Sequence, residues 1–407
     1  MPRAVIVDAV RSPMGRGRPT GALAGVHPAE MLGQLFQALV SRTRLDPGSV
    51  DDVLVGCVSQ AGEQSATPGR QAWLGAGFPE HVPSVTIERK CGSGQQAIEF
   101  AAQGIAAGAY DLVVAAGVES MSRVPMGSAR MGQDPHGPLV RQRYPGLVPQ
   151  GVAAELVAAA WGLSREQLDE YSARSHARAA AARDSGAFDT EIVPILVDGD
   201  GPPRSVDADE TIRAATTPAS LAGLKTAFDS AEYRRQFPAM DWKVTAGNSS
   251  QITDGAAALL LMSEDRARSL GQRPRARIVA SAVCGDDPVL MLTGPIPATR
   301  KVLERAALSV DQLDAIEVNE AFASVPLAWQ AEFKADEEQL NPRGGAIALG
   351  HPLGASGCRL MTTLINELQQ TGGRYGLQVM CEAGGMANAT IIEVFAAEAP
   401  GDMGARS

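Results

Sequence analysis

The sequence predicts an α/β protein, and three features of the chain support this. Short apolar runs rich in Val, Ile and Leu alternate with Ala-rich segments along the 407 residues. One strand–helix–strand set extends from about residue 1 to 119, and a second extends from about 271 to 396. The hydrophobic content of 45% and the charged content of 20% are typical of a globular protein. A chain of this length is expected to form two or three domains.

The first set of elements opens with a strand directly at the N-terminus, followed by a loop. Val50–Gly56 and the β-branched run Val85–Ile87 are the next apolar stretches. After Cys91, apolar residues recur at helical spacing and the pattern stops near Gly108, which predicts a helix. The run Asp111–Ala116 then predicts a buried strand.

The second set repeats this order. A strand is predicted over Asp314–Val318, a later helix carries an apolar stripe of three leucines, and Leu377–Met380 predicts another strand; the leucines are Leu360, Leu364 and Leu368. The distance from Asp52 to Cys91 is 39 positions, and that from Asp314 to His351 is 37. This similarity indicates an internal duplication in which Cys91 and His351 occupy equivalent helix entrances. Two such entrances can face one shared cleft.

Between the two sets lies a segment of different composition, which predicts an inserted lobe. It holds clusters of Pro and Gly, and a few large side chains are expected to form a small core of its own: Trp161, Leu168, Tyr171 and Phe228. The apolar run Ala256–Met262 is expected to return to the first half as a strand. The predicted organisation is an N-terminal half over 1–119 and 250–270, an inserted lobe over 120–249, a C-terminal half over 271–396 and a tail over 397–407.

Composition also excludes several classes of function. A net charge of −10 and an aromatic content of 4% argue against a nucleic-acid binder, which needs a basic footprint and stacking platforms. No apolar run approaches the roughly 20 residues of a membrane span. The five cysteines are scattered and lack CxxC spacing, which argues against a disulfide framework and a metal site. The expected compartment is therefore the reducing cytoplasm.

Four polar side chains are candidates for catalysis. Cys91 precedes Gly-Ser-Gly at a helix start, where unpaired N–H groups and the helix dipole favour a thiolate. His351 is flanked by glycines and could serve as the base that a Cys nucleophile needs. Cys381 lies where a buried strand meets a Gly-rich turn, a position suited to a second thiol that acts as an acid–base. The amide of Asn319, which follows another strand, could polarise an oxygen or orient a water.

Ordered motifs along almost the whole chain resemble those of the thiolases, in particular the degradative branch. They are "CGSGQQA" at 91–97, "GNSSQITDGAAALLL" at 247–261, "NEAFA" at 319–323, "GGAIALGHPLGASG" at 344–357 and "CEAGGMANA" at 381–389. The resemblance implies the thiolase fold: two duplicated βαβαβαββ halves stacked as five α-β-α-β-α layers, with a loop domain inserted in the first half. It also implies an obligate homodimer or homotetramer.

The resemblance further implies the cleavage of a 3-ketoacyl-CoA by CoA through an acyl-cysteine. Cys91 would attack the keto carbon after His351 removes its proton, and Cys381 would protonate the departing acetyl-CoA enolate. Asn319 would hold a water for the enolate oxygen. The backbone N–H groups of Cys91 and Ala383 would bind the other oxyanion, although most family members have Gly where this chain has Ala383. No cofactor is expected to be permanently bound, since CoA and acyl-CoA are substrates.

The same resemblance places CoA along the cleft, against five side chains: Phe228, Ser250, Met291, Ala321 and Phe322. Gln150 is expected to line the acyl end, because "VPQG" at 148–151 stands where thiolases devoted to acetoacetyl-CoA usually carry a His-Met-Gly stretch. Losing that Met predicts a preference for acyl chains longer than four carbons. Alternatively, Gln150 refills the space and the enzyme is an acetoacetyl-CoA specialist.

Two remoter alternatives remain open from the sequence. A ketoacyl synthase would share the fold and the nucleophile, but it would need a second catalytic His or an Asn where this chain has NEAFA and Cys381. A catalytically silent CoA- or lipid-binding relative is the other. The full set of Cys91, His351, Asn319 and Cys381 argues against a loss of chemistry.

Overall fold

The computed structural model describes residues 2–198 and 202–395, and the predicted tail over 397–407 lies outside this part. The strands are β1 (Ala4–Arg11), β2 (Gly15–Arg16), β3 (Asp52–Gly56), β4 (Ser84–Ile87), β5 (Leu112–Ser120), β6 (Ile195–Val197), β7 (Arg204–Val206), β8 (Thr253–Ser263), β9 (Ala276–Gly285), β10 (Ala315–Val318), β11 (Tyr375–Glu382) and β12 (Met386–Val394). The helices are α1 (Pro28–Thr43), α2 (Pro68–Gly75), α3 (Ser93–Ala107), α4 (Gly137–Arg143), α5 (Gln150–Ala160), α6 (Arg165–Asp184), α7 (Pro218–Ala222), α8 (Ala231–Gln236), α9 (Glu264–Ser269), α10 (Pro295–Ala306), α11 (Ser324–Phe333), α12 (Ala346–Leu349) and α13 (Ser356–Thr371).

The sheet topology shows the duplication that the spacing predicted. In the first half, β5 is parallel to β3 and antiparallel to β8, and β8 is antiparallel to β1. In the second half, β11 is parallel to β10 and antiparallel to β12, and β12 is antiparallel to β9. In the first half, β4 pairs with β3 in parallel. At the equivalent place in the second half, an isolated parallel bridge joins Leu340 to Ile316 of β10. The prediction of an α/β protein built from two similar halves is confirmed.

Helices cover both halves, so the strands are buried between layers. Helices α3 and α13 share one apolar core with residues of β1, β5, β8 and β12, which makes them the central layer. Helices α1 and α2 pack on the outer face of the first half, and α10 and α11 pack on that of the second. A short pairing of Val5 and Ile6 with Arg277 and Ala276 joins the halves into one continuous sheet.

The starts of α3 and α13 lie against each other in the central layer. The predicted leucine stripe of α13 is buried in the cores and positions this helix. A Cβ added to Gly357 would lie 2.1 Å from the backbone nitrogen of Gln95, so only glycine permits the close approach. Because the two helix starts touch, the residues just before them lie near each other as well.

The inserted lobe does not have the separate small core that its sequence predicted. Leu168 and Tyr171 belong to the same apolar cluster as Trp329 and Ile316 of the C-terminal half, and Trp161 and Phe228 pack against that cluster. That prediction is wrong because the periodicity of a helix shows that it has an apolar face but not which element covers it. Strand β8 returns from the lobe to a position between β1 and β5.

Within the described ranges, the structure contains no helix long and apolar enough to cross a membrane.

Candidate active site

The candidate catalytic residues lie where parallel strands end and central helices begin. Asn319 directly follows β10, Cys381 is the second-last residue of β11, and the two strands are paired in register with Val318 opposite Val379. The backbone N–H of Asn319 donates to the carbonyl of Val379 (3.0 Å) and extends this pairing. Cys91 and His351 come from the loops that lead into α3 and α13. The carboxyl edge of a parallel sheet is where α/β proteins commonly bind ligands.

Cys91 is 5% exposed and lies in a tight turn before α3. The turn is closed by hydrogen bonds from Gly92 N to Arg89 O (3.0 Å) and from Ser93 N to Lys90 O (3.1 Å). A Cβ on Gly92 would lie 1.9 Å from Oε1 of Glu382 and 2.1 Å from Oδ1 of Asn388, so any larger residue in "CGSG" would displace these buried polar side chains. Around the thiol is an apolar cluster formed by Met121, Leu353, Leu360 and Met380.

His351 is held by hydrogen bonds at both ring nitrogens. Its Nδ1 lies 2.5 Å from Oγ of Ser356, and its Nε2 lies 3.5 Å from Nδ2 of Asn319. The Asn319 amide donates to Nε2, which leaves Nδ1 to carry the ring proton and to donate to Oγ of Ser356, while the Ser356 hydroxyl donates to the carbonyl of Pro352 (2.9 Å). In this network Nδ1 carries the ring proton, and the lone pair of Nε2 faces the Asn319 amide, which donates to it.

Burial keeps the His351 ring neutral. Desolvation, assisted by the positive charge of Arg359, lowers the pKa of His351 to about 3. The imidazole is therefore unprotonated throughout the neutral pH range and can accept a proton from a nearby thiol. An unburied histidine would be partly protonated under the same conditions.

The two site thiols are also affected by burial. Desolvation raises the pKa of Cys91 well above its usual value, and the nearby Cys381 and Glu382 raise it further. Desolvation raises the pKa of Cys381 to about 12, although a contact from the Asn319 amide (3.9 Å to Sγ) opposes this. Both thiols are therefore protonated in the free protein, and a base is needed to activate either of them.

The six predicted substrate-contact residues fall into one connected region. Phe228 and Phe322 form an edge-to-face pair with ring centroids 5.9 Å apart. The backbone N–H of Ser250 donates to the carbonyl of Ala321 (2.9 Å). Met291 has a left-handed backbone with φ of 55°, and its side chain is buried in the cluster that contains Phe322. Gln150 is the first residue of α5, next to Gly151, on which the ring of Phe228 packs.

The backbone of Ala383 does not have a positive φ, so it accommodates the methyl side chain of alanine where most thiolases have glycine. Positive φ values begin only at the next residue, with 93° at Gly384 and 74° at Gly385. Alanine adopts negative φ without strain, so its N–H can be placed as that of glycine would be.

Sequence reasoning missed three residues that organise the site. Ser356 sets the tautomer of His351, and Glu382 packs under the Cys91 turn with a pKa that burial raises to about 8. Glu320 accepts hydrogen bonds from Tyr171, Ser175 and the backbone of Ile347, tying the lobe to the loops of Asn319 and His351. Glu320 and Glu382 each follow directly after a predicted site residue at a strand end. That position is the signal that could have identified them.

Known proteins resemble this chain over nearly its full length. The family described as "Thiolase, N-terminal domain" matches residues 4–265, and that described as "Thiolase, C-terminal domain" matches residues 272–394. The steroid 3-ketoacyl-CoA thiolase FadA6 of Mycobacterium tuberculosis is 46% identical over 402 residues, covering 97% of this chain and 94% of that protein. A 3-ketoacyl-CoA thiolase of Klebsiella pneumoniae is 44% identical over 398 residues, covering 97% of this chain and 100% of that protein.

A solved structure agrees with these matches. The Bacillus anthracis acetyl-CoA acetyltransferase superposes with a TM-score of 0.87 at 40% identity, covering 97% of this chain and 99% of that one. The family matches together span most of the described residues, and the relatives are well above 30% identical over almost their whole lengths. This chain therefore belongs to the thiolase family of acyltransferases.

Proposed function

We propose that the chain cleaves 3-ketoacyl-CoA with CoA, forming acetyl-CoA and an acyl-CoA shortened by two carbons. The observation that carries this proposal is the meeting of two buried thiols, a neutral imidazole and an amide at one edge of the sheet. Such a set provides a nucleophile, a base and a second acid–base, which carbon–carbon cleavage through an acyl-enzyme requires.

In the first half-reaction, Nε2 of His351 removes the proton of Cys91, and Sγ attacks the keto carbon of the substrate. The bond between that carbon and the neighbouring α-carbon breaks, and its electron pair forms the enolate of acetyl-CoA. Cys381 donates its proton to the enolate carbon. The shortened acyl group remains on Cys91 as a thioester, His351 is protonated, and Cys381 is a thiolate.

In the second half-reaction, an incoming CoA thiol gives its proton to the Cys381 thiolate and attacks the thioester. The tetrahedral intermediate collapses, the shortened acyl-CoA leaves, and the Cys91 thiolate recovers its proton from His351. Both catalytic groups return to their starting state, and CoA and acyl-CoA serve as substrates without a bound cofactor. Run in reverse, the same steps condense acetyl-CoA with an acyl group.

Two oxyanions form during this sequence and need hydrogen-bond donors. The backbone N–H groups of Cys91 and Ala383 are proposed to bind the oxygen of the tetrahedral intermediate. The enolate oxygen is proposed to be bound by the protonated His351 together with a water held by Asn319. The distance of 3.5 Å between Nδ2 of Asn319 and Nε2 of His351 supports this pairing, because it places the amide and the imidazole side by side.

The pantetheine of CoA is proposed to lie along the wall formed by Phe228, Ser250, Met291, Ala321 and Phe322. The acyl chain would then contact the apolar cluster around Cys91, in which Met121, Leu353 and Met380 are buried. Because this wall is apolar, we propose that 3-ketoacyl groups longer than four carbons are the preferred substrates. Ring-bearing acyl groups are a second candidate, because one relative at 46% identity is named a steroid 3-ketoacyl-CoA thiolase.

A chain-length series tests the proposed substrate class. Each methylene that contacts the apolar wall should contribute up to about 0.8 kcal/mol, so kcat/KM for thiolysis should rise by as much as about tenfold per two carbons. The measurement compares 3-ketoacyl-CoAs of roughly four, six, eight and ten carbons, with a ring-bearing substrate alongside. A steep fall beyond four carbons would instead identify an acetoacetyl-CoA specialist, and absence of thiolysis on every substrate would overturn the enzyme assignment.

The protein is further proposed to act in the cytoplasm as a homodimer or homotetramer. Support for an oligomer comes from β4, the last strand of the sheet, where Val85 is 44% exposed on an edge that could pair with another chain. The five free cysteines support a reducing compartment. Light scattering should therefore give at least twice the chain mass of 42.4 kDa, and thiolysis should be found in the cytosolic fraction of the source cells. A monomer in solution would contradict the first expectation, and activity confined to membranes would contradict the second.

A further inference from the structure

A buried polar cluster lies beneath the turn that holds the nucleophile. Glu382 at the end of β11, Asn388 of β12 and Glu99 of α3 are all buried. The place of a Cβ on Gly92 lies 1.9 Å from Oε1 of Glu382 and 2.1 Å from Oδ1 of Asn388, so these two oxygens face the same small volume. Glu382 is therefore packed against the nucleophile's turn, and it is also the chain neighbour of Cys381.

The Asn388 amide has partners on one side only. Its Nδ2 donates to Oε2 of Glu99 (3.3 Å) and to Oε1 of Gln96 (3.4 Å). Its Oδ1 and both carboxyl oxygens of Glu382 have no hydrogen-bond partner among the described residues. An unpaired buried oxygen is costly, and two acceptors can bond each other only if one of them carries a proton.

Turning the Asn388 amide over does not remove this conflict. Nδ2 would then serve Glu382, but Oδ1 would face the carboxyl group of Glu99 instead. An amide has donors on one side and an acceptor on the other, so it connects two carboxyl groups fully when the two share one proton. In either orientation, the geometry points to one protonated carboxyl in this cluster.

The proton belongs on Glu382 because Glu99 is the better-solvated carboxylate. Oγ1 of Thr390 donates to Oε1 of Glu99 (2.9 Å), and Asn388 donates to its Oε2, so both oxygens have a donor. Donors of this kind stabilise the ionised form, and Glu382 has none. Burial raises the pKa of Glu99 to about 7 and that of Glu382 to about 8, which is the same order.

The charged and titratable groups that face Glu382 come from several elements. They are Glu88, Arg89 and Cys91 before α3, Glu99 of α3, Cys381 of β11 and Cys284 of β9. Arg89 is a cation, but it forms no ion pair with the unpartnered carboxyl of Glu382. A negative charge on Glu382 raises the pKa of both site thiols, so a neutral Glu382 makes either thiol easier to ionise.

We propose that Glu382 is a positioning residue, whose neutral carboxyl donates a hydrogen bond to Oδ1 of Asn388 and supports the turn of Cys91, and whose ionisation suppresses the reaction at alkaline pH. The inference rests on the proposed function, because it concerns activation of the same nucleophile. A carboxyl whose pKa is raised to about 8 is neutral below that pH and charged above it. Activity is therefore present at neutral pH and is lost as the pH rises through about 8.

The test is the pH profile of kcat/KM for thiolysis, with the rate at which iodoacetamide alkylates Cys91 as a second readout. At one pH unit above the pKa about a tenth of the carboxyl stays neutral, so wild-type kcat/KM at about pH 9 should be about tenfold below its neutral plateau. Glu382→Gln cannot ionise and still donates to Asn388. It should keep the neutral-pH rate and lose the alkaline fall, and its Cys91 should be alkylated faster than that of the wild type at alkaline pH. Glu382→Met has a similar size but no donor, so it should be slower at every pH.

Glu170→Gln is the matched control, because Glu170 is an exposed glutamate of α6, and its profile should equal that of the wild type. Ionisation of the substrate is common to all variants, and thermal unfolding at each pH confirms that they are folded. The inference is overturned if Glu382→Gln keeps the alkaline fall of the wild type, if the wild type has no such fall, or if Glu382→Met matches Glu382→Gln. These outcomes leave the proposed function intact, since thiolysis is still observed. That function fails separately if acyl-CoA never acylates Cys91 at any pH.

Discussion

Replacing Cys91 with serine should reduce thiolysis by a factor on the order of 10⁴–10⁶, the largest effect expected of any single change. A serine hydroxyl has a far higher pKa than a thiol. The buried, neutral imidazole of His351 is too weak a base to ionise that hydroxyl. The variant should also fail to take up label from acetyl-CoA. Initial rates of CoA-dependent cleavage and mass spectrometry of the trapped acyl-enzyme are the two measurements.

Cys284→Ser is the control for this change. Cys284 is a half-buried thiol of β9 that donates to the carbonyl of Gly294 (3.5 Å), and serine can replace that hydrogen bond. Its activity should stay close to that of the wild type. Acyl label found on Cys381 alone, or a Cys91→Ser enzyme with nearly normal turnover, would show that Cys91 is not the nucleophile.

Replacing Cys381 with serine should reduce thiolysis by roughly 10²–10⁴-fold while leaving the nucleophile functional. With the pKa of Cys381 at about 12, its thiol is a proton donor matched to a weakly acidic carbon, and a serine hydroxyl is a much weaker acid. Cys91 should still accept an acyl group from a suitable activated donor. The measurement therefore has two parts, namely the steady-state rates in both directions and the stoichiometry of acyl label on Cys91.

The same two readouts separate this role from a structural one. A general loss of structure would reduce the acylation of Cys91 and the cleavage rate together, whereas a missing acid–base affects only the steps that move the carbon-bound proton. Full thiolysis and condensation rates in Cys381→Ser would remove Cys381 from the mechanism. Parallel losses of acylation and cleavage would assign it to packing.

Much of the architecture was predictable because it depends on local patterns. The leucine stripe of α13, the buried run that became β5 and the similar spacing before Cys91 and His351 are all features of short segments. Periodicity and turn residues report such segments directly. The motifs around Asn319 and Cys381 lie at strand ends as predicted, and the parallel pairing of β10 with β11 brings the two strand ends together.

The partners of these residues were decided only by the tertiary structure. Two facts depend on how the chain folds: Ser356 at the start of α13 forms a hydrogen bond with His351, and Glu320 ties the lobe to both catalytic loops.

The sequence by itself determined that this chain is an α/β protein with two similar halves and a thiolase set of reactive groups. Only the tertiary structure decided that the lobe merges with the core of the C-terminal half and that both thiols and the imidazole are kept uncharged. The physical reason is that hydrophobic periodicity reveals which face of an element is buried but not its partner, and pKa values respond to burial and neighbouring charges that exist only in the folded chain.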